Sequence, residues 1–372
     1  MCGALVQALG ENLAADTPLC ASGGKNSGST WQWNLSYVRT HRPEHGIGEN
    51  VLNINARTSE LPDDCRSNLQ VCERDLSQLG YNVLSVVGSP HEFMIPQMRW
   101  RVFIIFSRTL SMASLKEVAS TLDAVKVAAP LLPVDAFTLH PDDPLIGSSL
   151  DAHLQAAAHH AESNQRAKAT QQWAKKDRRK GAQPLNRYAD PQLASQLPWL
   201  DTLTPRETSC LTSVPDSAPA RSVDISQDKD RAFLSGPDAT AVIQCIAKVA
   251  RIWDTVLDRL WVPHELCALQ GILISRAEAE KWDADLLSDL AGNAFCGPLV
   301  LILIMCLIIA DAKQRRAEDF DRVTTQLQVD LNTAKDQTSD ELPIYVDGQC
   351  AEPNPESQGF AGMADFGLLD EF

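Results

Sequence analysis

The spacing of apolar and polar positions changes period several times before residue 110. Ala4–Ala15 reads as a short helix-like stretch, followed by a Gly/Ser/Asn-rich loop over Ala21–Thr30. From Trp31 to Thr40 apolar residues recur at helical spacing. His45–Asn50 reads as a short buried strand running into Val51, Leu52 and Asn53. Pro62–Gly80 reads as a helix stopped by Gly80, because glycine takes the left-handed conformation of a C-terminal cap without a steric penalty. Two strand-like runs follow, Tyr81–Val87 and Arg101–Phe106. The second, RVFIIF, is almost uniformly apolar, as expected of a strand covered on both faces. Helix alternating with strand predicts an α/β fold built on a parallel sheet.

After Arg108 the alternation fades. Residues 110–250 read as helices and loops, with a polar helix over His153–Gln172 and regular helix again over Ala239–Leu260. Val223–Gln227 and Trp199–Glu207 stand out as ordered islands. Pro298–Ala310 (PLVLILIMCLIIA) is intensely apolar but shorter than the roughly 20 residues a bilayer-spanning helix needs. A buried core helix is expected there, and no membrane partner. Beyond Lys313 the chain turns polar and then acidic, which predicts little fixed structure.

Composition narrows the classes. The 372 residues are 44% hydrophobic and 22% charged, enough to bury at least one sizeable core. A net charge of −15 argues against a protein that coats nucleic acid by charge alone, although a local basic patch can still steer one. The ten cysteines show neither C-x-x-C pairing nor metal-ligand spacing, so no metal site is expected and a reducing compartment fits best. Met1–Leu13 has no cationic start and no long apolar run, so no signal peptide is read there.

Three blocks, in order, carry a more specific message. The first is Arg42–Val51 (RPEHGIGENV), ending in Glu49-Asn50-Val51. The second is Leu79–Val83 followed by Ile95–Ile105, with Pro96-Gln97-x-Arg99-x-Arg101 and an apolar strand. The third is Arg259–Gly271 (RLWVPHELCALQG) with Gly292-Asn293-Ala294. Together they resemble the later blocks of the DNA cytosine-C5 methyltransferase family, over roughly residues 20–310. The resemblance implies an S-adenosylmethionine-dependent, Rossmann-like α/β sheet, here incomplete, with a smaller target-recognition lobe. It further implies a partial catalytic domain over 1–108, a recognition region over 109–255, a return to the catalytic domain over 256–312, and an acidic tail over 313–372.

The same resemblance implies roles. Cytosine C5 is a poor nucleophile, so the family adds a cysteine thiolate at C6, and a carboxylic acid near N3 neutralises the charge this creates. Glu49 maps to that acid and Arg101 to the guanidinium that holds the cytosine O2, while Arg99 maps to a support of the loop. Gly292 and Asn293 map to one side of the S-adenosylmethionine pocket. The base must leave the duplex to reach these groups. Read alone, Glu49 could instead cap a helix near Asn53, Arg99 and Arg101 could be a solvated strand entry, and Arg259 with Glu265 could be an ordinary surface pair.

The family's Gly-rich turn for the methyl donor has no counterpart. The nearest match to its Pro-Cys loop is Pro18-Leu19-Cys20, which carries an inserted Leu; Cys20 is the candidate nucleophile, with an inert or linker cysteine as the alternative. The first strands, and with them the floor of the donor pocket, are therefore expected to be absent, and a protein partner could complete the site. Arg166, Lys175, Lys176, Arg178, Arg179 and Lys180, interleaved with Trp173, form the candidate phosphate contact, with a solvated helix face as the alternative. Two functions remain open: a nuclear DNA cytosine-C5 methyltransferase, and a non-catalytic DNA-binding paralogue.

Overall fold

A computed structural model of the chain describes residues 5–8, 28–56, 65–128, 130–161, 186–214, 220–227, 232, 240–247, 250–279 and 281–339. It divides into two compact units, Met1–Arg316 and Ala317–Phe372.

The first unit is organised by a four-stranded sheet in the order β1-β2-β5-β3. Strand β1 (Leu5–Ala8) leads through α1 (Gly28–His41) to β2 (His45–Val51). The two strands are parallel, with Ala8 opposite Glu49, so this is a β-α-β crossover. Next come α2 (Asn68–Gln78), β3 (Asn82–Gly88), the two-residue β4 (Gln97–Met98) and β5 (Arg101–Ser107). Ser67 caps α2 by accepting from the Gln70 amide, and Gly80 at φ +84° ends the turn that follows.

Two expectations need correction here. Ala4–Ala15 was expected to be helical, yet Leu5–Ala8 is a strand, because pairing along β2 overrides the weak local preference for helix. The front of the sheet accordingly has one parallel strand ahead of β2. The sheet is also mixed rather than parallel: β5 runs antiparallel to both β2 and β3. The short link from β3 to β5, occupied by β4, leaves no room for the crossover helix that a parallel strand requires.

Strand β5 is covered on both faces, as its apolar run predicted. Val102, Ile104 and Phe106 pack with Trp31, Leu35 and Val38 of α1 and with Val71 and Leu76 of α2. Phe103 and Ile105 face the other way, in a core with Ile47, with Leu115, Val118 and Leu122 of α3 (Met112–Ala128), and with Leu299, Leu303 and Leu307 of α8 (Gly297–Ser339). Each such buried side chain is worth roughly 1.5–3 kcal/mol. Helices on both faces of a largely buried sheet make the unit a Rossmann-like α/β layer structure in shortened form.

A second core lies in the middle of the chain, around α4 (Pro144–Ala161), α5 (Pro205–Thr212), β6 (Ser222–Asp224), β8 (Ile252–Asp254) and β9 (Arg259–Leu260). Ile146, Tyr188, Trp199, Leu211, Val223 and Trp253 form it. The two ordered islands belong to it, and α5 starts with a capping box in which Thr204 and Glu207 satisfy each other's backbone amides. Ala239–Leu260, expected to be helical, instead holds three short strands: β7 (Ile243–Gln244), β8 and β9. Its apolar residues mimic helical spacing, but Ile243 and Ile252 are fixed by pairing with Gln97 and Asp224.

The return to the sheet is made by α6 (Pro263–Ala268), α7 (Ala284–Asn293) and the start of α8. The apolar run in α8 is buried on one face only. Leu299, Leu303, Cys306, Leu307 and Ala310 face the sheet, whereas Leu301, Met305 and Ile308 are more than half exposed. By length and composition this helix is apolar enough to cross a membrane. Of the second unit, residues 317–339 are described and are helical, where little fixed structure was expected. The acidic residues beyond 339 lie outside the described residues.

Candidate active site

Glu49 lies near the carboxyl end of β2 and Arg101 opens β5. In the antiparallel register Glu49 faces Phe103 and Val51 faces Arg101, so Glu49 and Arg101 are diagonal neighbours on one face of the sheet. Arg101 Nε donates to Glu49 Oε1 at 2.7 Å, with both side chains largely buried. Glu49 is therefore not a helix cap; the short 3-10 turn over Leu52–Asn55 starts after Val51. Burial pushes the Glu49 carboxyl above the usual carboxylate range, against the pull of Arg101 and Arg99. A carboxyl so placed keeps its proton to higher pH than an exposed one.

Arg99 is only 7% exposed, which rules out a solvated strand entry. Its backbone amide donates to Ser89 Oγ at 2.9 Å. Its guanidinium donates to Ile246 O at 2.6 Å, Gly292 O at 3.2 Å and Ala294 O at 3.3 Å. The last two are carbonyls at the C-terminal end of α7, where a cation finds unsatisfied acceptors and the negative end of the helix dipole. Burial, and then the neighbouring Arg101, hold the Arg99 guanidinium below its usual range, and Cys245 and Glu49 oppose them.

Cys245 was not singled out by sequence. The parallel pairing of β4 with β7 brings the residues after Gln244 against Arg99 and Arg101. Cys245 Sγ lies 3.5 Å from Arg99 Nη1 and 3.6 Å from Arg101 Nη2. No local pattern marks a lone cysteine in a stretch that reads as helix.

Strand β1 ends at Ala8, opposite Glu49, and α1 begins at Gly28. Cys20 itself lies outside the described residues, as do Arg166, Lys175, Lys176, Arg178, Arg179, Lys180 and Trp173.

For the methyl donor the residues present offer little. Gly292 is buried with its carbonyl engaged by Arg99, and Asn293 is exposed. A cavity of about 470 Å³ lies elsewhere, lined by His153, Arg251, Trp261, Leu266 and Asp285. No group of three or more His, Cys, Asp or Glu able to hold a metal occurs among the described residues.

No family model matches the chain. It is 28% identical over 300 residues, 74% of its length, to the DNA (cytosine-5-)-methyltransferase DMT5 of Cryptococcus neoformans. The chain spans 12% of the length of that relative. Among solved structures, it is similar to the Schizosaccharomyces pombe Dnmt2 methyltransferase (13% identity, 82% of this chain and 76% of that one, TM-score 0.42). It is also similar to the Entamoeba histolytica methyltransferase EhMeth (11% identity, 76% and 69%, TM-score 0.36). The three blocks read from the sequence and the DMT5 match point the same way: over 74% of its length this chain is similar to a DNA cytosine-C5 methyltransferase.

Proposed function

We propose that the chain carries the base-activating part of a DNA cytosine-C5 methyltransferase, with S-adenosylmethionine as methyl source. The observation that supports this most is the buried Glu49–Arg101 pair, at the strand end where Glu49 lies opposite Ala8 of β1. In this reading a flipped cytosine stacks into that edge. Arg101 holds its O2, Cys20 adds as thiolate to C6, and Glu49 delivers its proton to N3 as negative charge develops there. The upward shift favours that role, because burial makes the carboxyl hold its proton more tightly than an exposed one. The activated C5 then has enamine character. S-adenosylmethionine, when bound, supplies an electrophilic methyl group; Gly292 and Asn293 border its seat in this proposal, and a protein partner supplies the remaining walls.

Residues 109–255 serve as the target-recognition region, with the basic cluster Arg166–Lys180 on phosphates, and the protein acts in the nucleus. DMT5 is a DNA (cytosine-5-)-methyltransferase, and this motivates the choice of DNA.

The test is a trap. The purified chain is incubated with S-adenosylmethionine and a duplex carrying 5-fluorocytosine, whose fluorine cannot leave as a proton does. A covalent adduct mapped to Cys20 by mass spectrometry, and lost in Cys20→Ser, supports the enzyme. DNA binding without an adduct overturns it in favour of a non-catalytic paralogue.

A further inference from the structure

Two guanidiniums side by side in a buried site repel each other, so something must hold them there. Glu49 engages Arg101 from one side only. Between the two arginines stands a sulfur, carried by a residue far away in sequence that arrives from the middle of the chain.

We infer that Cys245 is a positioning residue of the candidate active site: its sulfur is the shared acceptor that clasps Arg99 and Arg101 together and aims Arg101 at the base. Cys245 Sγ accepts from Arg99 Nη1 at 3.5 Å and from Arg101 Nη2 at 3.6 Å, and its thiol points to Ile246 O at 3.8 Å. A thiol that donates to a carbonyl and accepts from two cations uses its hydrogen and both lone pairs, which fixes its rotamer. Each nitrogen of the Arg101 fork then has its own partner: Glu49 at Nε, the Trp100 carbonyl at Nη1 (2.9 Å) and Cys245 at Nη2. Three partners at three corners leave the plane of the guanidinium little freedom to turn. The next residue, Ile246, clasps Arg99 through its carbonyl. The segment following β7 thereby joins the middle of the chain to both arginines, so a shift of β7 on target binding would reach Arg101 directly.

The inference rests on the methyltransferase reading for its catalytic consequence, but the clasp itself is measurable without turnover. Cys245→Ala removes the acceptor and Cys245→Ser keeps one. Arginine side-chain NMR of the full chain reads the Nε–H resonances of Arg99 and Arg101. Expected is a shift and line narrowing of the Arg101 signal in Cys245→Ala, with Cys245→Ser close to wild type and thermal melting of all three alike. Unchanged arginine signals in Cys245→Ala overturn the clasp. If the wild-type chain methylates DNA, Cys245→Ala should lower kcat about tenfold with KM for the duplex unchanged, the loss expected of one hydrogen bond, and Cys245→Ser should restore most of it. An equal fall in Cys245→Ser, or a change in KM alone, overturns the positioning role. A wild-type chain without methylation counts against the enzyme reading, and the arginine spectrum then decides the clasp.

Discussion

Arg259 and Glu265 form a two-pronged ion pair inside the protein. Nη1 donates to Oε2 at 2.8 Å and Nη2 to Oε1 at 2.6 Å. The carboxylate also accepts from the Val262 amide at 2.9 Å and the Leu139 amide at 2.7 Å. Glu265 is 1% exposed and Arg259 6%, so this is not the ordinary surface pair that spacing alone allowed. It ties the start of α6 to β9 and to the loop before α4.

Removing one partner strands the other charge without water. Glu265→Met and Arg259→Met are each expected to destabilise the first unit by about 3–5 kcal/mol, and Arg259→Met/Glu265→Met by much less than the sum of the two single changes. Urea unfolding of the four proteins checks this. Additive losses would show that the two groups act independently.

A second prediction concerns a glycine in β2. Gly46 lies opposite Phe106 in the register, and a methyl group added there would stand 2.1 Å from the ring. The ring also meets Tyr81 edge-on, with centroids 5.3 Å apart, which limits its retreat. Gly46→Ala should cost roughly 1–3 kcal/mol, the usual penalty for overpacking, and Gly46→Ala/Phe106→Leu should recover part of it. Calorimetric melting is the measurement, and an unchanged melting temperature in the single variant would show that the ring yields freely.

His153 lines the cavity in the middle of the chain. Burial, and then the charge of Arg251, hold its imidazole below its usual range, with Asp285 and Glu207 pulling the other way. The unfolded chain therefore binds the proton first as pH falls, and this residue's share of stability declines as pH drops through about 6.5 toward the folded value. His264 is depressed by burial in the same sense. Histidine NMR titration should show the His153 midpoint rising in Arg251→Met, because one of its two depressing causes is gone. A midpoint that stays put would leave burial as the whole cause.

The blocks that placed Glu49, Arg99 and Arg101 were legible because they combine rare local patterns with strands whose apolar runs announce themselves. Strand β5 could be read from its five consecutive apolar residues, Val102–Phe106. Its direction could not, since antiparallel pairing depends on the length of the link back from β3 and not on the strand itself. Strand β1 was missed because four residues carry too little pattern to outweigh their neighbours; only β2 makes them a strand. Cys245 was invisible for a related reason. Its importance comes from β4 and β7 meeting from distant parts of the sequence, and no local spacing encodes that.

The last prediction tests the price of placing a carboxyl in the site. Burial raises Glu49 above the usual carboxylate range more than Arg101 and Arg99 lower it. From that range up to its folded midpoint the folded chain holds a proton that the unfolded chain has released. Stability therefore falls as pH rises through this window, and above it the folded state carries an ionised group at a cost. Glutamine has the same shape, keeps an oxygen for Arg101 and cannot ionise. Glu49→Gln should thus melt higher than wild type at about pH 8, with the difference shrinking toward about pH 4. If the chain is active, the same change should lower kcat about a hundredfold or more, because an amide has no proton to deliver to N3. A variant less stable than wild type at about pH 8 would mean that the 2.7 Å pair with Arg101 outweighs burial. Glu49 would then be ionised in the resting site, and the proton for N3 would have to come from another group.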